Sequence, residues 1–330
     1  MDVTMAPGDG VLSAIGGTPT VRLGRMFPNS GFSFYGKLEG ANPGGSAKDR
    51  VALSMLSGKI ADGTLEPLRS VVVESSSGNL AIGIAQICRM FDIRFVCVVD
   101  ANTSQQNIAV LRAYGAEVDI VTSSDDGSGN YLAARIQRVQ ELVRSIAHAY
   151  WPNQYANPLN PRAHLETMRE VAESLDGKVD HLFVATSSFG TISGCREYIR
   201  ANGLKTSVIA VDAEGSAIFG SRPRARLIPG HGAAVRPGLY QDGVADEVVH
   251  VNDLDCVVGC RRLMAKEAIF AGGSSGAVVT AVDRRSARIE KESNVVAIFP
   301  DRGERYIDTI FNDSWVHKNF GDVEHLWKVG

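Results

Sequence analysis

Residues 70–91 read SVVVESSSGNLAIGIAQICRMF, and this stretch decides the fold class. Its β-branched start, Ser70 to Glu74, is typical of a buried strand, because valine packs well on a pleated surface. The polar residues 75–79 predict a loop, and the apolar spacing of Leu80 to Phe91 predicts a helix. Strand, loop and helix in this order form the unit from which parallel sheets are built. The stretch therefore indicates an α/β fold.

The same alternation continues on both sides of this stretch. Ser46 can cap a helix that runs through Ser57 and stops at Gly58. We predict further strands at Arg94–Val99, Glu117–Val121, His181–Thr186, Ser207–Val211, Val248–Val251 and Asn294–Pro300. We predict helices at Thr103–Tyr114, Tyr131 to about His148, Thr191–Arg200, from Val251 to about Lys266, and after a Gly-Gly-Ser-Ser-Gly turn.

The length of 330 residues suits two domains of roughly 150 residues each. Prolines and asparagines crowd Trp151 to Pro161, so this stretch cannot continue a helix and is a candidate domain boundary. Ser123 to Asn130 predicts a surface loop. The irregular span Asp212 to Gly243 is long for a compact domain, and such spans are usually functional.

Composition limits the class of partner. The 34 basic and 37 acidic residues give a net charge of -3 and are interspersed, so we expect neither nucleic acid nor membrane binding. The first ten residues lack a long apolar stretch, which favours a cytoplasmic protein. Five cysteines make a disulfide framework improbable, and Cys256 with Cys260 predicts core packing rather than a metal site. A small-molecule ligand is the natural expectation, and no metal is expected.

Two polar loops stand where a strand meets a helix, which is where parallel sheets bind ligands. Ser187-Ser188-Phe189-Gly190-Thr191 offers hydroxyls and helix N–H groups that suit a phosphate. Ser75-Ser76-Ser77-Gly78-Asn79 offers donors for a carboxylate and an amide for a ring oxygen. Taken alone, the first loop is better explained as an ordinary strand-to-helix turn, and the second is explained equally well as a solvated turn.

Lys48 follows the glycine pair in Asn42-Pro43-Gly44-Gly45-Ser46-Ala47-Lys48-Asp49 and stands in the first turn of a predicted helix. The positive end of a helix dipole disfavours a cation, so a neutral amine that can form a Schiff base is one interpretation. A solvated lysine is the ordinary alternative. A P-loop is rejected, because the residue directly before Lys48 is not glycine and the residue after it is Asp49 rather than serine or threonine.

Taken together, these motifs and their order resemble the cysteine synthase and cystathionine β-synthase family of fold-type II pyridoxal-phosphate (PLP) enzymes. The resemblance spans almost the whole chain. Its motifs are Gly17-Thr18-Pro19, Asn42 to Arg50, Ser76 to Asn79, Asn153-Gln154-Tyr155, Ser187 to Thr191, Gly273 to Gly276 and Pro300 to Tyr306.

The resemblance implies two doubly wound α/β domains of the tryptophan synthase β-like type. It implies a smaller, mobile, substrate-clamping domain at residues 37–152. A larger domain that binds the PLP phosphate would comprise residues 1–36 and 153–330. A homodimer is expected on the same ground.

The resemblance also assigns roles to residues. Lys48 would carry the cofactor as a Schiff base and act as general base. The other cofactor contacts would come from Asn79 to the ring oxygen, from Ser274 to the pyridine nitrogen, and from Ser187, Ser188, Phe189, Gly190 and Thr191 to the phosphate. The residues that bind substrate would be Ser76, Ser77, Gly78, Asn79, Arg135, Tyr155 and Ser187.

Two departures from the sulfide-using members bear on the substrate. Those members have Gly-Thr-Gly-Gly-Thr where this chain has Ser187 to Thr191, and Phe where it has Tyr155. The added hydroxyls favour a polar second substrate over bare sulfide. The chain thus resembles a branch that joins O-phospho-L-serine to L-glutamate, by way of α-aminoacrylate. The product, N-(2-amino-2-carboxyethyl)-L-glutamate, leads to 2,3-diaminopropionate for siderophores or peptide antibiotics.

Several alternatives stay open at this point. A cysteine synthase using O-acetylserine and sulfide would keep every cofactor residue. A PLP-binding partner without activity is less consistent with the presence of Lys48, Asn79 and Ser274. A nicotinamide oxidoreductase is disfavoured, since no Gly-x-Gly-x-x-Gly follows an early strand. The basic cluster Arg222 to Arg226 competes with Arg135 as the anion clamp, and either could instead be solvated.

Overall fold

The computed structural model describes residues 10–123, 131–220 and 224–328. In chain order the strands are β1 (Thr20–Arg22), β2 (Ser33–Leu38), β3 (Val71–Ser75), β4 (Arg94–Asp100), β5 (Glu117–Val121), β6 (Ala149–Tyr150), β7 (His181–Ala185), β8 (Ser207–Ala213), β9 (Glu247–Val251) and β10 (Asn294–Phe299). The helices are α1 (Lys48–Ala61), α2 (Asn79–Met90), α3 (Gln105–Ala113), α4 (Leu132–Ser145), α5 (Leu159–Ser174), α6 (Gly190–Ala201), α7 (Asp253–Glu267), α8 (Gly273–Arg285) and α9 (Asp313–Phe320). None of these helices combines the length and the apolar character needed to cross a membrane.

The chain divides into two compact units. The first takes in Asn42–Asn160 together with the chain up to Gly16, and the second takes in Gly17–Ala41 with Pro161–Gly330. The crossing between Asn160 and Pro161 lies within the stretch 151–161, where the prolines and asparagines indicated a boundary. The finer division at 37–152, and the mobility assigned to that domain, stay predictions.

The sheet of the first unit has the order β5-β4-β3-β6, and all its neighbouring strands are parallel. Every residue of the central strand β3 is buried. Burial on both faces explains its unbroken run of valines, because a half-exposed strand would alternate with polar residues. Val139 of α4 packs on the same core cluster as Val71 and Val73. The carboxyl ends of β3, β4 and β6 therefore share one edge of the sheet.

The sheet of the second unit has the order β1-β2-β10-β7-β8-β9. The edge strand β1 is antiparallel to β2, and the remaining pairs are parallel. Helix α8 is buried along Gly273 to Val282 and belongs to the main core cluster of this unit. An α/β fold with parallel sheets, as the sequence predicted, is confirmed.

Several local predictions were wrong. Gly58 does not end α1, which continues to Ala61. Glycine is a weak helix former, but the buried Val51, Met55 and Leu56 anchor the helix. The Gly-Gly-Ser-Ser-Gly segment is not a turn: Gly272 precedes the helix and α8 begins at Gly273. The helix expected up to His148 ends at Ser145 and gives way to β6.

Other elements were missed. The strands β1, β2 and β6 and the helices α5 and α9 were not predicted from the sequence. Helix α5 includes Pro161 in its first turn, where a missing N–H costs nothing. Strand β2 pairs with β10 from Ser33 to Leu38, so its place is set by a partner far along the chain. Most of the loop predicted at Ser123 to Asn130 lies outside the described residues.

Helices α7 and α8 cross at glycines. A Cβ atom built on Gly259 would lie 2.1 Å from the carbonyl oxygen of Gly276, and one built on Gly276 would lie 2.0 Å from that of Cys256. The nearest atom is a backbone oxygen in both cases, so no movement of a flexible side chain could relieve the clash. This close approach brings the first turn of α8, which carries Ser274, against α7.

Replacing Gly259 by alanine is therefore expected to destabilise the protein by about 1 to 3 kcal/mol, because the helices must separate. The matched control is Gly58→Ala, in an exposed part of α1 with no atom within 4 Å of the new Cβ. That variant is expected to gain about 0.5 to 1 kcal/mol from helix propensity. Urea unfolding of both variants measures the difference, and equal stabilities would contradict this packing.

Candidate active site

Lys48 is the first residue of α1 and is half-buried. Its backbone N–H donates to the Ser46 hydroxyl at 3.2 Å. The turn before it closes through Gly45, which has a φ of 84° and donates to the carbonyl of Asn42 at 2.8 Å. The buried Asp49 carboxylate accepts from the Gly44 N–H at 2.5 Å. These contacts hold the lysine at the start of the helix.

Helices α1 and α2 approach each other closely near their N-terminal ends. A Cβ atom on Gly83 of α2 would lie 3.1 Å from the Lys48 carbonyl oxygen and 3.1 Å from the Ala52 Cβ. Asn79, the first residue of α2, lies one turn before Gly83. The structure therefore brings together the two helix starts that carry Lys48 and Asn79.

The loop between β3 and α2 is fixed by contacts from three elements. The Ser76 hydroxyl accepts from the Ala81 N–H at 3.3 Å, and its carbonyl accepts from the Cys97 thiol of β4 at 3.2 Å. The Ser77 carbonyl accepts from the Asn107 side chain of α3 at 2.9 Å. Ser77, Gly78 and Asn79 are half-buried, so they can meet a ligand.

Arg135 and Tyr155 lie in the same unit, close to each other. The Arg135 Nε is 3.3 Å from Asp100 Oδ2 at the end of β4, and both side chains are largely buried. Burial raises the pKa of the Tyr155 hydroxyl, and the nearby Arg135 charge opposes that rise. Arg135 is therefore not a solvated helix arginine. The sequence analysis missed Asp100, although an acid at the carboxyl end of a strand was a readable signal.

The loop Ser187 to Thr191 joins β7 to α6 in the second unit. Phe189 adopts a left-handed conformation, with a φ of 73°, directly before α6. Its ring is buried against Phe219 and Tyr240, so its backbone rather than its ring can meet a ligand. The Thr191 hydroxyl lies 3.2 Å from Nε2 of the buried His164, a neighbour that the sequence did not reveal.

Ser274, which is 1% exposed, stands in the first turn of α8. A Cβ on Gly230 would lie 3.8 Å from the Ser274 hydroxyl. Two residues further, the Gly232 N–H donates to the carbonyl of Thr186, the residue before the Ser187 loop, at 2.6 Å. Residues 230–232 therefore connect the loop with Ser274. This connection gives the irregular span 212–243 a role beside the site.

The cluster Arg222 to Arg226 holds three arginines, of which Arg224 is exposed and Arg226 is engaged elsewhere. Its Nη1 donates to the His231 carbonyl at 2.6 Å, and burial lowers its pKa. Arg222 lies outside the described residues.

The chain belongs to the family of pyridoxal-phosphate dependent enzymes, whose model matches residues 11–301. It is 43% identical, over 93% of its length and 90% of the relative, to the N-(2-amino-2-carboxyethyl)-L-glutamate synthase of Ralstonia nicotianae. The protein of the same name from Cupriavidus metallidurans is 42% identical with the same coverage. The crystal structure of cysteine synthase from Entamoeba histolytica superposes with a TM-score of 0.85, at 29% identity, over 94% of this chain and 91% of that one.

These similarities confirm the predicted fold type and its cofactor. The protein is a PLP-dependent β-replacement synthase of the cysteine synthase family. The donor chemistry fits that cofactor: the Ser187–Thr191 segment offers hydroxyls and helix N–H groups without a carboxylate, which suits a phosphate dianion. A neutral hydroxyl at Ser274 suits a pyridine nitrogen.

His231 gives this part of the second unit a pH dependence. The side chain is buried, its Nε2 lies 3.5 Å from the Cys256 sulfur, and burial together with the Arg226 charge lowers its pKa from 6.5 to about 4. The folded protein thus keeps His231 neutral where the unfolded chain would bind a proton. Its contribution to stability is present above pH 6.5 and is lost as the pH falls towards 4.

We expect His231→Gln to remove this dependence, because glutamine does not titrate. The stability of the variant relative to the unchanged protein should rise by about 2 kcal/mol between pH 7.5 and pH 5. Urea unfolding at both pH values measures it. The exposed His317→Gln serves as control and should show no such rise. A constant difference for His231→Gln would mean that this histidine does not stay neutral in the fold.

Proposed function

We propose that the protein catalyses β-replacement on O-phospho-L-serine with the amine of L-glutamate as nucleophile, which gives N-(2-amino-2-carboxyethyl)-L-glutamate. The observation that carries the proposal is the 43% and 42% identity to two synthases of that name over 93% of the chain. The identity to the cysteine synthase of Entamoeba histolytica is lower, at 29%. The hydroxyls at Ser187 and Tyr155 agree with the larger acceptor.

In this proposal Lys48 would hold the cofactor covalently, and the Ser187–Thr191 loop with the start of α6 would hold its phosphate. Asn79 would donate to its ring oxygen. Ser274 would meet its pyridine nitrogen with a hydroxyl, which would not keep that nitrogen protonated. Bound PLP supplies an electron sink of moderate strength, a property that suits loss of a β-substituent better than transamination.

The Ser76–Asn79 loop would bind the carboxylate of O-phospho-L-serine. Its N–H groups lie at the start of α2, where the helix dipole favours an anion. The Lys48 amine would take the α-proton as general base. The bond from the β-carbon to the phosphate oxygen would then break, and phosphate would leave. After the acceptor amine has bonded to the β-carbon and released its own proton to solvent, Lys48 would return the α-proton to the α-carbon.

The acceptor would be recognised by Arg135, Tyr155 and Ser187. A guanidinium carries five N–H donors, so its pairing with Asp100 through Nε is compatible with a substrate anion as second partner. A buried hydroxyl at Tyr155 adds a donor that a phenylalanine lacks. A site built with such polar groups discriminates strongly against a ligand that leaves them unpaired.

The cellular setting belongs to the same proposal. A β-replacement of this kind would supply 2,3-diaminopropionate for a siderophore or a peptide antibiotic. We propose a cytoplasmic homodimer; the five cysteines are all buried, where a thiol packs as a small hydrophobic group.

The test compares two donors and two acceptors. The holoenzyme is mixed with O-phospho-L-serine or O-acetyl-L-serine while the absorbance of its cofactor is followed, and L-glutamate or sulfide is then added. We expect O-phospho-L-serine to change the absorbance and glutamate to reverse the change, with the expected product found by mass spectrometry.

The Lys48→Ala variant is the control and should give neither turnover nor product. A response to O-acetyl-L-serine that only sulfide reverses would make the protein a cysteine synthase. No response to either donor would favour a PLP-binding partner without activity.

A further inference from the structure

Glu74 is the only charged residue of β3, and it is 1% exposed. It stands at the carboxyl end of a strand that is otherwise three valines and a serine. Burying a carboxylate is costly unless its oxygens accept hydrogen bonds. The contacts of this side chain therefore indicate why it is there.

Both carboxylate oxygens accept hydrogen bonds. Oε1 accepts from the Trp151 indole at 3.0 Å and from the Ser75 N–H at 2.8 Å. Oε2 accepts from the Gln154 N–H at 3.4 Å, and the Asn153 N–H also donates to this carboxyl. Donors from residues 151–154 thus converge on one side chain of β3.

The backbone explains why a side chain is needed at this position. Strand β6 pairs with β3 only at Ala149 and Tyr150. Beyond it, Pro152 has no N–H, and Asn153 takes a left-handed conformation with a φ of 52°, so the ladder cannot continue. The Glu74 carboxylate provides acceptors in its place.

The two segments that Glu74 joins both lead into the proposed substrate site. Ser75 precedes the Ser76–Asn79 loop, and Gln154 precedes Tyr155. We propose that Glu74 is a positioning residue that holds the Ser76–Asn79 loop and Tyr155 in a fixed relation. The inference rests on the proposed function, from which it takes the substrate roles of that loop and of Tyr155.

The charge state of Glu74 makes this contact sensitive to pH. Burial raises the pKa of Glu74 from 4.5 to about 7, although hydrogen bonds from Trp151 and the backbone oppose the rise. Three titratable groups lie around it: Cys97 on β4, Tyr150 on β6, and Tyr155. The charge of Arg135 on α4, which is paired with Asp100, opposes the rise in the pKa of Cys97 and of Tyr155. A protonated carboxyl has fewer acceptor positions, so the contact is weaker below pH 7.

The first test needs no substrate. The Trp151 indole donates to Glu74, so protonation of Glu74 should change the tryptophan emission of the holoenzyme. We expect this change to have its midpoint near pH 7. This transition should be lost in Glu74→Gln, and equally in Trp151→Phe, which removes the reporter. A transition of unchanged size in Glu74→Gln would overturn the contact. Because no substrate is present, this result is independent of the identity of donor and acceptor.

The second test measures the function of the contact. At pH 8, Glu74→Gln should raise the KM for both substrates about tenfold, with kcat changed less, since a hydrogen-bonded charge is lost. At pH 6 the unchanged enzyme should approach the variant. The control is Glu117→Gln, an exposed carboxylate of the same sheet paired with Arg94. It should behave like the unchanged enzyme at both pH values.

Unchanged KM values in Glu74→Gln at pH 8 would overturn the positioning role. If Glu74→Gln does not fold, Trp151→Phe removes one donor and should raise both KM values by a smaller factor; no rise there would also overturn it. Should the unchanged enzyme turn over neither substrate, the proposed function fails, and the emission test still decides the contact.

Discussion

The candidate site depends on one constraint: parallel strands deliver their carboxyl ends to a single edge of the sheet. In the first unit this edge receives the Ser76–Asn79 loop from β3, Asp100 from β4 and residues 151–155 after β6. In the second unit the loop after β7 meets the start of α6 in the same manner. Within each unit, helix starts and polar side chains are thereby gathered at the edge of its own sheet, and in the second unit residues 230–232 of the irregular span add a connection to Ser274.

In the first unit, two buried charged side chains are each paired with polar partners. The guanidinium of Arg135 is matched by Asp100, and the carboxylate of Glu74 is matched by neutral donors from residues 151–154. Such pairs add little net stability, since desolvation offsets attraction, but removing one partner is costly. Their value is geometric, because each fixes a segment beside a residue proposed to bind substrate.

The sequence predicted the strands and helices around residues 70–121 well, since strong apolar patterns and polar loops coincide there. It failed for β2, whose pairing with β10 joins residues more than 250 positions apart. It also failed for Glu74, because Trp151 is 77 positions away and no local pattern links them. The predicted end of α1 at Gly58 was wrong for another reason, since the low helix propensity of glycine is outweighed by the burial that extends α1 to Ala61. The motifs predicted the candidate site residues, whereas the partners that hold those residues required the structure.

We propose that this synthase carries its cofactor on Lys48. Borohydride reduction of the holoenzyme, followed by proteolysis and mass spectrometry, tests it directly, because reduction fixes a Schiff base to the lysine that formed it. We predict a pyridoxyl adduct on the peptide that contains Lys48. An adduct on another lysine, or none on any peptide of a protein that retains its cofactor, would contradict the account.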